Sequence, residues 1–549
     1  MPEILYRDIP PGANEGAQAQ GEAQPYWDNA LDRKEKKSGY ATLEPGHWKL
    51  DGSYRVLSEN PEGEGFCSCI YSDEKGEFQH PVELTVILDK TYTATSLALE
   101  FDSRGQEWCT RMKVQWFRNT RLLTETTVFP GHWNWVIEQN VTAFDKVKLF
   151  FYSTSKPFRF LRLDRLTVGR ERTFDSTQLK NLETHTQVDI SGLTLPGGTA
   201  RFELILEDGK QLIFQKNQPL RIFQKGSPVG FYYLDQAEKT GPGQYQVECV
   251  DGISILAASQ TLGGFYSESP FEEIVEEIIK EELPYRIAPE LKEVALSGWI
   301  AAGTKRDALL QAAFGACALV TVDAEGTIWL KPLPKAADKV QKKQTIFQGG
   351  SVTTKNPYTQ VALTACEYLA GETVEVYSGD TQPGEHLIMP EEPCLEYEIA
   401  GGKILSSGAN HLIFQTETPG KVVITGIKLD CKQTRYQTSL PDVEESLGVN
   451  LLEAEGTMVS PDRAMEVLQR LVEYAEQTQT VQQTVLPENL APGDCVTTEK
   501  AFDGQLVGYV LSMTTHFTGK AVAELEILGR DVELEAEAVP CGTIFAGEG

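Results

Sequence analysis

The sequence predicts a mainly β, multidomain protein with an α+β segment in its middle. Runs such as VELTVIL at 82–88 and KVKLFFY at 146–152 alternate apolar and polar residues, the two-residue period of a half-buried strand. Turn formers, Asp208-Gly209, Gly241-Pro242-Gly243 and Asp503-Gly504 among them, punctuate such runs along most of the chain. Helical spacing occurs in only three places. The 549 residues suffice for roughly three to five domains, each with its own core.

Taken in order, residues 1–38 are rich in Gly, Pro, Gln and charge and read as an extended or disordered arm. Residues 39–170 read as a β-sandwich, with strands at 82–88, 96–101, 112–117, 146–152 and 160–168. Six of the eight tryptophans lie before residue 170. Trp116, inside a strand, suits a core. Trp108, Trp133 and Trp135, the last two in the loop-like GHWNW, are the candidates for stacking on sugar rings, because aromatic faces match the apolar faces of sugars. Lys156, Arg159, Arg162, Arg165, Arg170 and Arg172 form a basic string, suited either to an acidic partner or to a solvated strand face.

Residues 171–262 repeat the strand rhythm and are expected to form a first β-barrel. Residues 263–345 are the helix-bearing α/β domain. Ser269, Pro270 and Glu272 read as a capping box with proline at the first helical position. Phe271, Ile274, Val275, Ile278 and Ile279 then give the apolar stripe of a helix of about 13 residues. Its acidic face reads as a solvated surface. Thr304 and Asp307 cap a second helix, whose Leu309, Leu310, Ala313 and Phe314 face inward and which Gly315 can end. The Lys/Pro-rich 331–343 reads as an exposed linker. Residues 346–440 form a β-rich insertion. Residues 441–530 hold a third helix, with Ala464, Val467, Leu468, Leu471, Val472 and Ala475 on one face, and a second barrel. Residues 531–549 are an acidic, then Gly-rich tail.

The chemistry is sparse. GxSxG, HExxH, a phosphate-binding loop and GxGxxG are all missing, so no catalytic, cofactor or metal site is expected. Cys67 and Cys69 lack a second close pair that would complete a zinc site, and ten cysteines in so long a chain read as reduced strand residues. A formal charge of −29 argues against specific nucleic-acid binding. No run of about 18 apolar residues predicts a membrane span, and the N-terminus lacks the basic and apolar regions of a signal peptide.

Three phrases, in order, resemble one family. LSGWIAAGTKRDALLQAAFGACA at 296–318 resembles the helix-bearing domain of baseplate hub proteins, also called tail-associated proteins, of phage tails and related contractile injection particles (tailocins). Within it Gly298, Ile300, Gly303, Thr304, Arg306, Ala308, Leu309 and Phe314 occupy the family pattern. PLRIFQKGSPVGFYYLDQAEKTGPGQYQVECVDGISIL at 219–256 resembles the first hub barrel, and LAPGDCVTTEKAFDGQLVGYVLSMTTHFTGKAVAELEILG at 490–529 the closing one. DKVKLFFYSTSKPFRFLRLDRLTVG at 145–169 is similar to the final strands of jelly-roll (galactose-binding-like) modules. The resemblance implies a non-enzymatic structural hub at the distal end of a tail. It would be a homotrimer whose two barrels per chain present pseudo-six-fold symmetry to the tail tube. The implied partners are tail tube and distal tail or baseplate proteins, a separate spike or tip protein, and a host-surface glycan. The implied location is the virion tail, assembled in the bacterial host cytoplasm. The alternative is a carbohydrate-binding surface adhesin working through residues 39–170.

Overall fold

The computed structural model describes residues 1–21, 39–40, 44–46, 54–55, 65–103, 105–206, 212–280, 282–337, 339–341, 346–440, 449–487, 489–500, 504–517, 519 and 521–532. The architecture is mainly β and multidomain, with five helices among the described residues: α1 (Gly252–Leu256), α2 (Phe271–Ile279), α3 (Pro289–Lys292), α4 (Lys305–Gly315) and α5 (Ala464–Ala475).

The N-terminal segment is not a free arm over its described part. Pro2–Asp8 forms a strand between Pro219–Gln224 and Arg170–Phe174, antiparallel to both. Its alternation puts Ile4 and Tyr6 into the core of the first β module. Gln18–Gly21 adds to the sandwich edge, opposite residues 84–87. The remainder of the expected arm, and the expected tail from 533, lie outside the described residues.

The sandwich differs from a stack of separate short strands. Glu77–Phe101 and Asn134–Thr154 are single strands of 25 and 21 residues, paired with each other. Register shifts between Ile87 and Ser96 bend the pair, as bulges do by leaving residues unpaired. Both halves of the longer strand therefore bury into one core: Val82, Leu84 and Val86 share it with Leu97, Leu99 and Phe101. The DKTYT stretch between them, turn-like in sequence, is the bend.

The two expected barrels are two parts of one sheet. Its backbone order runs from Arg170–Phe174 through Pro2–Asp8, Pro219–Gln224, Ser227–Gly241, Gln244–Val250 and Thr199–Ile205 to Leu179–Gln187, then into Gln505–His516, Val522–Asp531, Gln479–Val485 and Ile346–Thr354. The first module is thus a curled half-barrel. The crossing is made by Gln505–His516: residues 505–509 pair with Cys495–Glu499, and residues 512–516 with Leu179–Gln187. One strand thereby has its edge divided between the two modules. The expected linker is partly docked as well. Lys339–Val340 runs parallel to Cys495–Glu499, and Lys339 Nζ lies 2.6 Å from Asp494 Oδ2.

The insertion is built on a long antiparallel pair, Gln360–Thr381 against Gly420–Ser439, flanked by Cys394–Ala400 and Leu451–Gly456. A separate three-stranded sheet, Gly384–Ile388, His411–Thr416 and Lys403–Gly408, closes a small core around Leu412, Phe414, Val422 and Ile424.

Helix ends depart from expectation for local reasons. Ser269 pairs with Leu296 in a strand, and Pro270, at ψ 137°, occupies the N-cap position, so α2 starts at Phe271 and runs 9 residues. The predicted capping box is therefore absent. The five stripe residues are all buried as predicted. α1 forms where the sequence suggests a strand end, because Asp251 caps it by accepting the Ser254 N–H at 3.1 Å.

Candidate functional site

The family-like residues of 298–314 assemble a joint between modules. Thr304 caps α4: its Oγ1 accepts the Asp307 N–H at 3.1 Å and lies 2.7 Å from Asp307 Oδ2. Gly303 and Thr304 also pair with Thr261 and Gln260, fixing the helix entry. Arg306 Nε donates to Leu195 O at 2.7 Å, tying α4 to the loop between two paired strands of the first half-barrel, Leu179–Gln187 and Thr199–Ile205. Ala308 and Leu309 pack against α2 in the helix-domain core, together with Ile300. Phe314 turns the other way, into a core shared with α5 and the insertion strand Gln360–Thr381. One helix thus serves two cores.

Two glycines let a third segment in. The Trp299 N–H donates to Thr457 O at 3.1 Å, and a Cβ on Gly298 would lie 2.2 Å from that oxygen. On Gly315 it would lie 2.4 Å from Met458 O. Gly315 is the last residue of α4 and not its left-handed terminator. That conformation falls on Cys317, with φ 56°. Leu310, expected inside, is only partly buried against the helix-domain core.

Two side chains that the sequence reading passed over complete the joint. Asn410, at the edge of the insertion, donates to Ile300 O at 2.7 Å and Leu262 O at 2.8 Å, and accepts the Trp299 indole N–H at 2.6 Å. Arg470 of α5 is 5% exposed. Its Nε donates to Ile190 O and its Nη1 to Ala318 O, both at 3.0 Å. Burial disfavours its charge and pulls its pKa below the usual arginine value. Carbonyl dipoles from the first half-barrel and the helix domain thus converge on one buried cation. The signal was present in the sequence: an arginine placed between Leu468 and Leu471 on an otherwise apolar face.

The sugar-binding candidates sit differently from an open platform. Trp108, Trp133 and Trp135 are half-buried and pack against the sandwich core. Trp135 lies in a strand opposite Leu99, edge-on to His132 at 5.2 Å, and its indole N–H finds no acceptor among the described residues. Trp116 fills the core as read.

The basic string is neutralised from within. Arg159 pairs with Glu107 at 2.8 Å, both side chains buried, and Lys156 joins the same carboxylate at 2.9 Å. Arg162 pairs with Glu44, Arg165 with Glu100, and Arg170 with Glu138. Arg172 reaches Asp8 at 2.7 Å within the first β module and Glu138 of the sandwich at 3.3 Å, joining the two. These partners lie 32 to 164 residues away, which local reading cannot supply. No described helix is long and apolar enough to cross a membrane.

No family profile and no curated protein matches the chain. Several solved structures are similar to it. The 43 kDa tail protein of prophage MuSo2 from Shewanella oneidensis is 10% identical, with 65% of this chain and 95% of that one covered and a TM-score of 0.42. A prophage tail protein from Listeria monocytogenes is 10% identical, with coverages of 65% and 91% and a TM-score of 0.40. A component of the E. coli type VI secretion system is 8% identical, with coverages of 64% and 74% and a TM-score of 0.32.

Proposed function

We propose that the chain is a non-enzymatic structural component of a phage tail or phage-tail-like particle, acting as the hub at its distal end. The observation that carries this reading is the single sheet built from two β modules, with the 296–318 phrase tying the helix domain to the first half-barrel, α5 and the insertion. A chain with two such modules in fixed relation lets three copies present six β positions to a six-fold tube, which meets the need of symmetry matching. The residues that resemble the hub family do structural work throughout, capping, packing and admitting a close backbone approach. In this reading the partners are two further copies, the tail tube, distal tail proteins and a separate spike or tip protein, and the location is the virion tail. Residues 66–168 would pack on neighbouring tail proteins. Glycan binding by Trp108, Trp133 and Trp135 would use the half of each ring that does not pack against the sandwich core.

The test is the mass of the purified chain in solution, followed by electron microscopy. A ring of three copies is the expected result. A monomer at every concentration, binding a glycan array through the sandwich, would replace the hub with the adhesin.

A further inference from the structure

Two thiols and a phenol meet on the insertion beside the joint. In the antiparallel pair of Gln360–Thr381 and Gly420–Ser439, Tyr368 stands directly opposite Cys431 and Cys366 opposite Gln433, so Cys366, Tyr368 and Cys431 share one face. The Cys366 N–H turns away from this pairing, to Val459 O at 2.9 Å. Both rows are therefore of the non-hydrogen-bonded kind, in which facing side chains come closest. Cys366 and Cys431 are diagonal neighbours across them. Strand twist brings one diagonal of such a pair together, and the register shift just beyond, between Ala370 and Thr373, adds to the local twist. The two thiols interact, and the Tyr368 hydroxyl interacts with both. Both cysteines are free; Cys366 is 6% exposed, whereas Cys431 is open to solvent.

The cluster borders the joint. The Tyr368 ring lies edge-on to Trp299 at 6.2 Å and to Phe265 at 6.3 Å. Trp299 is the residue whose indole and backbone N–H groups bond Asn410 and Thr457. On the opposite face of the same strand, Val361, Leu363 and Ala365 pack in the core of α5. This stretch of strand thus contacts α5 on one side and the aromatic pair of the helix domain on the other.

We propose that Cys366 and Cys431 form a reversible disulfide that fastens the base of the insertion beside the joint, with a small-molecule disulfide as the oxidant. Cys431, the accessible thiol, attacks one sulfur of that disulfide as its thiolate; the S–S bond breaks and one small thiol leaves with the proton. Cys366 then attacks Cys431 Sγ of the mixed disulfide, and the second small thiol leaves with the Cys366 proton. Two protein thiols are oxidised by two electrons, and one small disulfide is reduced to two thiols. The order follows from the surroundings. Burial, and next the Cys431 thiol, push Cys366 up to about 12, so it does not start the exchange. Capping Cys431 removes the second of these, and the Tyr368 hydroxyl favours the Cys366 thiolate. The closed form ties residues 367–430, the three-stranded sheet included, into one loop. The inference stands on this cluster and not on the ring. In the proposed tail component, the dithiol belongs to the reducing cytoplasm and the disulfide to the medium outside the cell.

The test is incubation of the full chain with reduced and oxidised glutathione in varied ratio, then alkylation and mass spectrometry of a non-reducing digest. In excess oxidised glutathione the peptides bearing Cys366 and Cys431 should appear joined, two hydrogens lighter than their sum, and reduced glutathione should separate them. Cys366→Ala should stop the reaction at a Cys431–glutathione adduct. Cys431→Ser, at an exposed position, should leave Cys366 as a free thiol. Amide exchange along 360–370 should slow at least about tenfold in the joined form. A wild type that keeps both thiols, or stops at the Cys431 adduct, overturns the disulfide. Glutathione on Cys366 in the Cys431→Ser chain overturns the order of attack, and a joined form with unchanged exchange overturns the fastening.

Discussion

Gly298 and Gly303 belong to the same phrase, five residues apart, yet the structure assigns them opposite sensitivities. A Cβ on Gly298 meets Thr457 O at 2.2 Å, far inside contact distance, and the obstacle is backbone. The Trp299 N–H bond to the same oxygen fixes that backbone, and Met458 behind it is fully buried. Gly298→Ala must therefore push the 457–458 segment off its strand. Overpacking costs about 1–3 kcal/mol and the weakened hydrogen bond about 1 more, so a loss of about 2–4 kcal/mol is expected. A Cβ on Gly303 meets nothing within 4 Å. Gly303→Ala restricts the unfolded chain and should be neutral or stabilising by up to about 1 kcal/mol. Because a chain of several modules need not unfold in one step, the readout should be local. Hydrogen exchange of the Trp299 amide, or proteolysis between α4 and α5, reports the joint itself. Equal effects of the two alanines, in either direction, would refute the account of the close approach.

Three further outcomes follow from the geometry. Arg470→Met should loosen the joint by about 2–3 kcal/mol, because Ile190 O and Ala318 O lose their donor inside a core, and urea unfolding followed at Trp299 would read it. Burial raises the Asp164 carboxyl to about 6, so the folded sandwich holds that proton at pH values where the unfolded chain, near 3.9, has lost it. Stability from this group is present below about pH 4 and is lost as pH rises through about 6, so melting of the sandwich should fall across that window and Asp164→Asn should flatten it. Trp135→Phe should change stability by less than about 1 kcal/mol, since the indole N–H forms no bond among the described residues. Trp135→Ala should cost about 2 kcal/mol or more by opening the core edge, and thermal melting compares the two.

What could be read from the sequence was whatever a short window decides. The strand MKVQWF at 112–117 carries its own alternation, and the stripe of α2 its own period, so both were found. The Thr304 cap is likewise local. What escaped depends on partners far along the chain. ILYRD at 4–8 alternates as a strand should, but only its pairing with residues 170–174 and 220–222, with Asp8 meeting Arg172, shows that a segment in a low-complexity region is core. The basic string reads as a docking surface or a solvated strand face, and not as internal ion pairs, because Glu44, Glu107 and Glu138 are remote from it in sequence. Gln505–His516 reads as one strand of one module, and nothing in its twelve residues says that its edge is divided between two. That division is the feature on which the proposed role depends. A strand shared in this way cannot let one module rotate without breaking its pairing to the other, so the two β modules hold one fixed relation. In the proposed ring, three chains matching a six-fold tube need that fixed relation, and Arg470 adds to it by holding α5 to the Ile190 carbonyl of the first half-barrel.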